Sequence, residues 1–429
     1  MLGRYAWNNY TTEAAALSAL PPFSSGIGRE RERGFLAERR PMEFIYFGND
    51  WFAENRTSSH HIAKRLGAKF PILYVEVPGL KAPQANPRDM LKVFEKLRMA
   101  FQPPQLVAPH FWRMTLPQIP FRRFAAVRAA NRVFSRMLIR KAIRRVGFKD
   151  AVAWFHIPHA GFLAKQLGEK LTVFYCIDEY SKMPFVDGAA VGKMDDDLTV
   201  AADIVFACNQ NLVDAHRSLN ANVHLSPHGV DTELFALANS PDTKIPEELN
   251  SLPRPIIGSW GVVNQRIDLS ILEHIALARP NWTILLIGHV AVDVSKLRRM
   301  PNVIFAGVKP YAELPNWAKA IDVCILPYTR TSLNLQSSPL KLREYLASGK
   351  PIVAVPLPEA KLLGNVVQTA EDGPGFVLAI EKALAGNTPE LAALRQKAVD
   401  GNTWDATVAN VLEKLQAELS RHQQSQATA

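Results

Sequence analysis

The sequence predicts an α/β fold of two doubly wound, Rossmann-like units, each a parallel sheet flanked by helices, facing one another across a cleft. Three observations lead there. Short apolar runs of strand length alternate with helical stretches. The alternation stops at a polar, proline-containing stretch, 239–253, and then begins again. At 429 residues, 48% hydrophobic and 21% charged, the chain is long enough for two domains with full cores. Open sheets of this kind bind ligands outside the carboxyl ends of their strands, so the shared cleft is the expected site.

Residues 1–41 show no core pattern and read as a flexible N-terminal extension, with Met42 the expected start of the fold. Segments 44–47, 72–75, 152–155, 172–176 and 204–207 read as strands of a first domain, 42–238. The proline-rich connection from about 80 to 120 reads as an irregular insertion near a binding surface. Segments 256–260, 283–287, 303–305, 323–326 and 352–355 read as strands of a second domain, 239–403. Val408, Val411, Leu412, Leu415 and Leu419 recur at helical spacing, so 404–429 is expected to hold a helix and tail that pack back toward the first domain.

No apolar run approaches the ~20 residues that span a bilayer, and the N-terminus lacks the apolar core of a signal peptide. The reading is a soluble or peripheral protein. Cys176, Cys208 and Cys324 lie far apart in or beside apolar stretches and read as reduced core residues. The net charge of +10 is unevenly spread: between Glu95 and Asp150 there are thirteen Lys or Arg and no acid. Within that segment Arg128, Arg132, Arg136, Arg140 and Arg144 recur every four residues, interleaved with Val127, Phe134, Met137, Leu138, Ile139 and Ile143. This 121–145 stretch reads as a basic amphipathic helix suited to an anionic membrane surface, at about 1 kcal/mol per cation. The plain alternative is a solvated outer face. No nucleic-acid-binding motif accompanies the charge, so nucleic acid is not an expected partner.

The most specific chemistry lies in 337–351. Ser338 is placed to cap a helix, Pro339 suits its first position, and Gly349 with Pro351 ends it. Lys341 then falls in the first turn, where the helix dipole disfavours a cation unless an anion faces it. Glu344 is three residues on, on the same face. The second domain opens with a strand, a turn containing Gly258 and Gly261, and a helix start able to receive an anion. Arg266 beside that turn would clamp diphosphate oxygens together with Lys341.

These segments, Gly258 through Asp268, Ser226-Pro227-His228-Gly229-Val230-Asp231 with its continuation to Phe235, and Ser338 through Pro351, resemble landmarks of GT-B glycosyltransferases. The nearest set is the group 1, family-4-like bacterial enzymes, and the resemblance runs from about Phe44 to the last helix. It implies a nucleotide-diphosphate sugar as donor, with Glu344 on the ribose hydroxyls and Arg266 and Lys341 on the departing diphosphate. Gly261 and Ser337 complete the expected donor side. Stabilising the leaving diphosphate lowers the barrier directly, so no metal or other cofactor is called for.

One position departs from the pattern. Retaining members carry a second glutamate, and eight positions before Glu344 this chain has Gln336. Asp178, at the end of the 172–176 strand, offers another centre. It resembles the strand-end aspartate of the inverting xanthan-type glucuronosyltransferases, where the matching residue is the general base; the alternative is an aspartate that caps the following turn. In the first loop, Asn55, Arg56 and His60 suit a phosphorylated or sugar acceptor, with Thr57 or Ser58 capping the next helix. Of His60 and His61, one is expected to pack and one to face the cleft, while His156 and His159 read as core or loop hydrogen-bonders. Asp195, Asp196 and Asp197 read as the solvated start of a helix.

Together these readings give a metal-independent glycosyltransferase acting on a lipid-linked or glycan acceptor in bacterial exopolysaccharide or envelope glycan synthesis. It would be cytoplasmic and peripheral at the inner membrane, held there by the basic helix. The rival readings are a nucleotide-sugar epimerase of the same fold and a non-catalytic scaffold that binds a sugar nucleotide.

Overall fold

The computed structural model describes residues 42–53, 55–79, 102–116, 125–184 and 186–427. The expected N-terminal extension, most of the 80–120 connection and the first residues of the basic stretch lie outside them. The first sheet contains β1 (Glu43–Gly48), β2 (Ile72–Glu76), β3 (Gln105–Ala108), β4 (Phe111–Thr115), β5 (Ala151–Phe155), β6 (Leu171–Cys176), β7 (Ile204–Ala207) and β8 (Val223–Leu225). Their order is β3-β4-β2-β1-β5-β6-β7-β8, with only β3 antiparallel to its neighbour. The sequence reading missed β3, β4 and β8. Part of the expected insertion is sheet: β4 pairs with β2, and β3 forms an edge whose outer residues Gln105 and Leu106 are exposed, which hides any burial pattern.

Successive residues of the first sheet point to opposite faces. Ile45, Phe47, Leu73, Val75, Ala153 and Phe155 build one core. Phe44, Tyr46, Tyr74, Trp154, Tyr175 and Phe206 build the other. On this second face Tyr74, Tyr46, Trp154 and Tyr175 stack across four strands at centroid spacings of 5.4, 5.5 and 5.5 Å.

The helices that matter to the site are α1 (Ser58–Gly67), α2 (Ala125–Val146), α3 (Gly188–Ala201) and α4 (Gln210–Arg217). Two expectations change here. Helix α3 starts at Gly188, capped by Asp187, so Asp195–Asp197 lie in its middle rather than at its start. On α2 the buried stripe is Asn131, Ser135, Ile139 and Ala142, while Val133 and Met137 are 59% and 53% exposed among the arginines. The apolar face expected from the sequence is therefore split between inside and outside.

The second sheet holds β9 (Ile256–Trp260), β10 (Thr283–Ile287), β11 (Val303–Gly307), β12 (Val323–Leu326), β13 (Ile352–Ala354) and β14 (Val367–Thr369). All its pairings are parallel, in the order β11-β10-β9-β12-β13-β14. Strand order reverses between β9 and β12, the switch point where doubly wound folds bind ligands. Helix α5 (Leu269–Ala278) follows β9, and α6 (Leu340–Ala347) precedes β13.

The last helix, α7 (Trp404–Ala427), crosses back to the first sheet, where Trp404, Val408, Val411, Leu412 and Leu415 join the aromatic core. The Gly-Val-Asp segment holds this crossing. A Cβ on Gly229 would collide with the backbone of Trp404, Val230 N donates to Asn402 O at 2.9 Å, and Asp231 receives Arg65 of α1 at 2.5 Å.

Candidate active site

Between the two sheets lies a cleft of about 760 Å³, lined by loops at the carboxyl ends of β1, β5 and β6 on one side and β9, β10 and β12 on the other. Gly261, Arg266, Asp178, Ser337, Lys341, Glu344, Asn55 and Arg56 all line it. These residues are scattered over nearly 300 positions of sequence, and the strand ends bring them together.

Helix α6 supplies the charged pair. Its N-cap is Pro339 and no side chain caps its first turn. Ser338 is not the cap: its hydroxyl donates to Glu359 at 3.0 Å and accepts from Arg343 at 3.2 Å. Ser337 is buried with its hydroxyl donating to Asn334 O at 2.9 Å. The open first turn points its N–H groups and Lys341 at the cleft, an arrangement that favours an anion. Gly349, at φ +67°, ends the helix.

Burial pushes Lys341 down to about 8, with the Arg266 charge adding to this and Glu344 opposing it. Burial likewise pushes Glu344 up to about 7, against the indole N–H of Trp260 and the Lys341 charge. Trp260 Nε1 donates to Glu344 Oε2 at 2.7 Å. Gly261 has φ +104°, and a Cβ there would collide with Lys341 Cε, so only glycine lets the lysine lie along the turn. Gly258 serves packing instead, its open side filled by Ile321. The start of α5 is already occupied, because the Asp268 carboxylate accepts from Ser270 N at 3.0 Å.

Arg266 crosses the cleft and forms an ion pair through Nη2 with Oδ2 of Asp178. The two expected roles therefore meet: the candidate diphosphate clamp is bonded to the candidate base. Burial raises Asp178 above the usual carboxylate range, and the charge and hydrogen bond of Arg266 oppose the rise. Gln336 bridges the domains too, its Oε1 accepting from Lys182 at 2.8 Å and its backbone oxygen from Asn209 at 3.0 Å.

Residues 255–392 match the family model described as glycosyl transferases group 1. That segment, about a third of the chain, is similar to the group 1 glycosyltransferases. TuaH of Bacillus subtilis (strain 168), named as a glycosyltransferase of teichuronic acid biosynthesis, is 33% identical over 200 residues, which are 44% of this chain and 50% of TuaH. The chain thus matches half the length of that relative. Among solved structures, sucrose-phosphate synthase from Thermosynechococcus elongatus superposes with a TM-score of 0.65 at 15% identity, covering 89% of this chain and 100% of the other. HepE of Anabaena, solved in complex with UDP and glucose, gives 0.61 at 14% identity, covering 87% and 99%. At such identities the likeness speaks for the fold, which is GT-B.

Across the cleft from the second sheet, the first loop divides differently than expected. Asn55 is exposed and Arg56 half-buried, its guanidinium donating to Trp51 O at 2.9 Å. His60 does not line the cleft. It is buried, its Nε2 donates to Asp50 O at 2.8 Å, and its Nδ1 accepts from Thr57 N at 3.1 Å. The geometry gives it a capping role in place of acceptor contact, the reciprocal box that closes α1 with Thr57. His61 also packs, stacked on Trp404 at 4.8 Å. His156 is fully buried between Tyr46 and Ser58, at 3.2 and 3.1 Å.

The fold adds residues that the sequence reading did not single out. Asn334 is fully buried and donates to Thr329 O at 2.9 Å and to Arg266 O at 3.2 Å, anchoring the turn that carries Arg266. Gly288 packs its backbone on that of Gly261 and has φ +139°; a glycine straight after an apolar strand is a signal that would have found it. Lys182 and Tyr311 also line the cleft, without a local motif to mark them, and so does His228 of the Gly-Val-Asp segment.

Cys176, Asp195 and His216 come within 4.8 Å of one another in the first domain. His216 Nε2 faces Asp195 Oδ2 at 2.7 Å and Nδ1 faces Leu212 O at 2.7 Å. Both ring nitrogens are thus already engaged by protein oxygens, and His216 and Asp195 are held as a hydrogen-bonded pair.

Proposed function

We propose that this protein is a nucleotide-sugar-dependent glycosyltransferase that acts on a lipid-linked or glycan acceptor in envelope polysaccharide synthesis. The observation that carries the reading is the placement of Lys341 and Glu344 together at the uncapped start of α6, in the cleft that Arg266 also lines. Two cations and a carboxylate suit a diphosphate joined to a ribose: Arg266 and Lys341 take the phosphates, Glu344 the ribose hydroxyls. Gly261 and Ser337 line the same pocket. The similarity to TuaH and the UDP bound by HepE support a nucleotide sugar as donor and envelope glycan as setting.

In the proposed reaction Asp178 takes the proton of the acceptor hydroxyl as its oxygen bonds to the anomeric carbon. The bond from that carbon to the diphosphate breaks, and Arg266 and Lys341 stabilise the charge that leaves. A single base with departure from the opposite face is an inverting transfer, consistent with Gln336 where retaining relatives carry a carboxylate. Asn55 and Arg56 at the cleft mouth would hold the acceptor. Helix α2, with Val133 and Met137 outward among Arg132, Arg140 and Arg144, would rest on the anionic cytoplasmic face of the inner membrane. No helix among the described residues is long and apolar enough to cross a membrane.

The test is a panel of nucleotide sugars and nucleoside diphosphates read by thermal stabilisation, followed by turnover with the stabilising donor. Lys341→Ala is expected to lose both the stabilisation and the turnover while keeping its unliganded melting temperature. Unchanged turnover in that variant would overturn the proposal.

A further inference from the structure

Arg266 and Asp178 are anchored through their backbones, and their charged groups meet across the cleft, where the Asp178 carboxylate also accepts from the Glu179 backbone. Arg266 N donates to Asn264 Oδ1 at 3.0 Å, and its carbonyl accepts from Thr329 N at 2.8 Å and from Asn334. The Asp178 carbonyl accepts from the thiol of Cys176 at 3.5 Å, directly after the last residue pairs of β6 with β7. A change in their pairing calls first on the side chains, because these bonds hold both backbones.

The pairing has a cost for the proposed reaction on both sides. A carboxylate on Arg266 occupies part of the charge that a diphosphate would use, and a second anion brought beside Asp178 is repelled by it. An arginine on Asp178 in turn withholds the lone pair that a base needs. Lys341 shares the cleft with Arg266, and its counter-charge is Glu344 on its own helix, so Asp178 is the carboxylate that holds Arg266.

We infer that Asp178 is a counter-ion which the donor diphosphate displaces from Arg266, so that Asp178 tunes donor affinity and becomes available as a base when the donor is seated. The inference rests on the donor-site reading given above. It makes donor binding the step that precedes productive acceptor binding, and it makes return of Asp178 to Arg266 a means of expelling the nucleoside diphosphate product.

The sign of one substitution tests it. Asp178→Asn keeps the shape and removes the competing charge. Calorimetric titration of the wild type and this variant with UDP, GDP, ADP and CDP should give tighter binding to the variant, roughly tenfold if about nine in ten wild-type molecules hold Arg266 on Asp178. Arg266→Gln should weaken binding, and adding Asp178→Asn to it should restore little, because the two effects act through one contact. Equal or weaker binding to Asp178→Asn, with Arg266→Gln still weakened, overturns the inference and leaves the donor site standing. If none of the four ligands binds either protein, or Arg266→Gln binds like wild type, both the inference and the donor role of Arg266 fail.

Discussion

Trp260 Nε1 donates to Glu344 Oε2 at 2.7 Å, joining the end of β9 to α6 across the floor of the cleft. The bond holds a carboxylate where burial disfavours its charge, and Glu344 is pushed up to about 7. For a carboxylate whose folded value is raised, stability is present below its unfolded value near 4.5 and lost as pH rises toward about 7. Glu344→Gln removes that loss. Thermal unfolding should show the variant above wild type at pH 8 and level with it at pH 4.5, and the same variant should bind nucleoside diphosphate more weakly.

In the proposed donor role Lys341 sets the alkaline limit. Burial pushes its value down to about 8, and that role requires it charged to attract a diphosphate. Affinity for the donor should therefore fall above pH 8, at most about tenfold per unit if the neutral form does not bind. Lys341→Arg keeps its charge over this range, so titrations between pH 6.5 and 9.5 should lose that limb.

His216 gives a second pH effect, remote from the cleft. Burial alone would lower it, but the hydrogen bond and charge of Asp195 outweigh burial and the net shift is upward. The stability this gives is full below the unfolded value of 6.5 and is lost as pH rises through the higher folded value. His216→Gln should lower the melting temperature at pH 6 and flatten its decline between pH 6.5 and 8.5.

A buried pair supports the loop that leads to Arg56. Arg113 on β4 meets Glu76 at the end of β2 through two bonds of 2.6 and 2.7 Å. Glu76 also accepts from Thr115 at 2.8 Å and from Trp51 N at 2.9 Å, at the loop that leads to Arg56. Glu76→Ala leaves Arg113 buried without its carboxylate and should cost about 3–5 kcal/mol in urea unfolding.

Membrane docking is tested on α2. Reversing Arg140 and Arg144 to Glu should abolish flotation with vesicles rich in phosphatidylglycerol and leave nucleoside diphosphate binding intact. Wild-type flotation should weaken as salt is raised, since the attraction is screened.

The strands that proved legible in the sequence are those with a strong local pattern. Segments 256–260, 283–287 and 323–326 were read with the boundaries they have in the fold, because a strand buried on both faces is a short continuous apolar run. Edge strands such as β3 and β14 carry exposed residues and little apolar content, and no local pattern marks them. His60 was read as a ligand because a histidine in a polar loop looks the same whether its nitrogens face a substrate or close a helix; the backbone conformation at Thr57 decides which.

The sequence alone determined two doubly wound domains, a helix with Lys341 and Glu344 on one face, and a basic segment without acids. All of these are periodicities or spacings within a few turns of chain. The tertiary structure alone decided that Arg266 meets Asp178, 88 residues away, that Gln336 bridges to Lys182, and that Asp195 turns inward to His216. Such pairings depend on how two sheets and their loops lie in space, and charges separated by whole domains leave no local signature of the partner each will find.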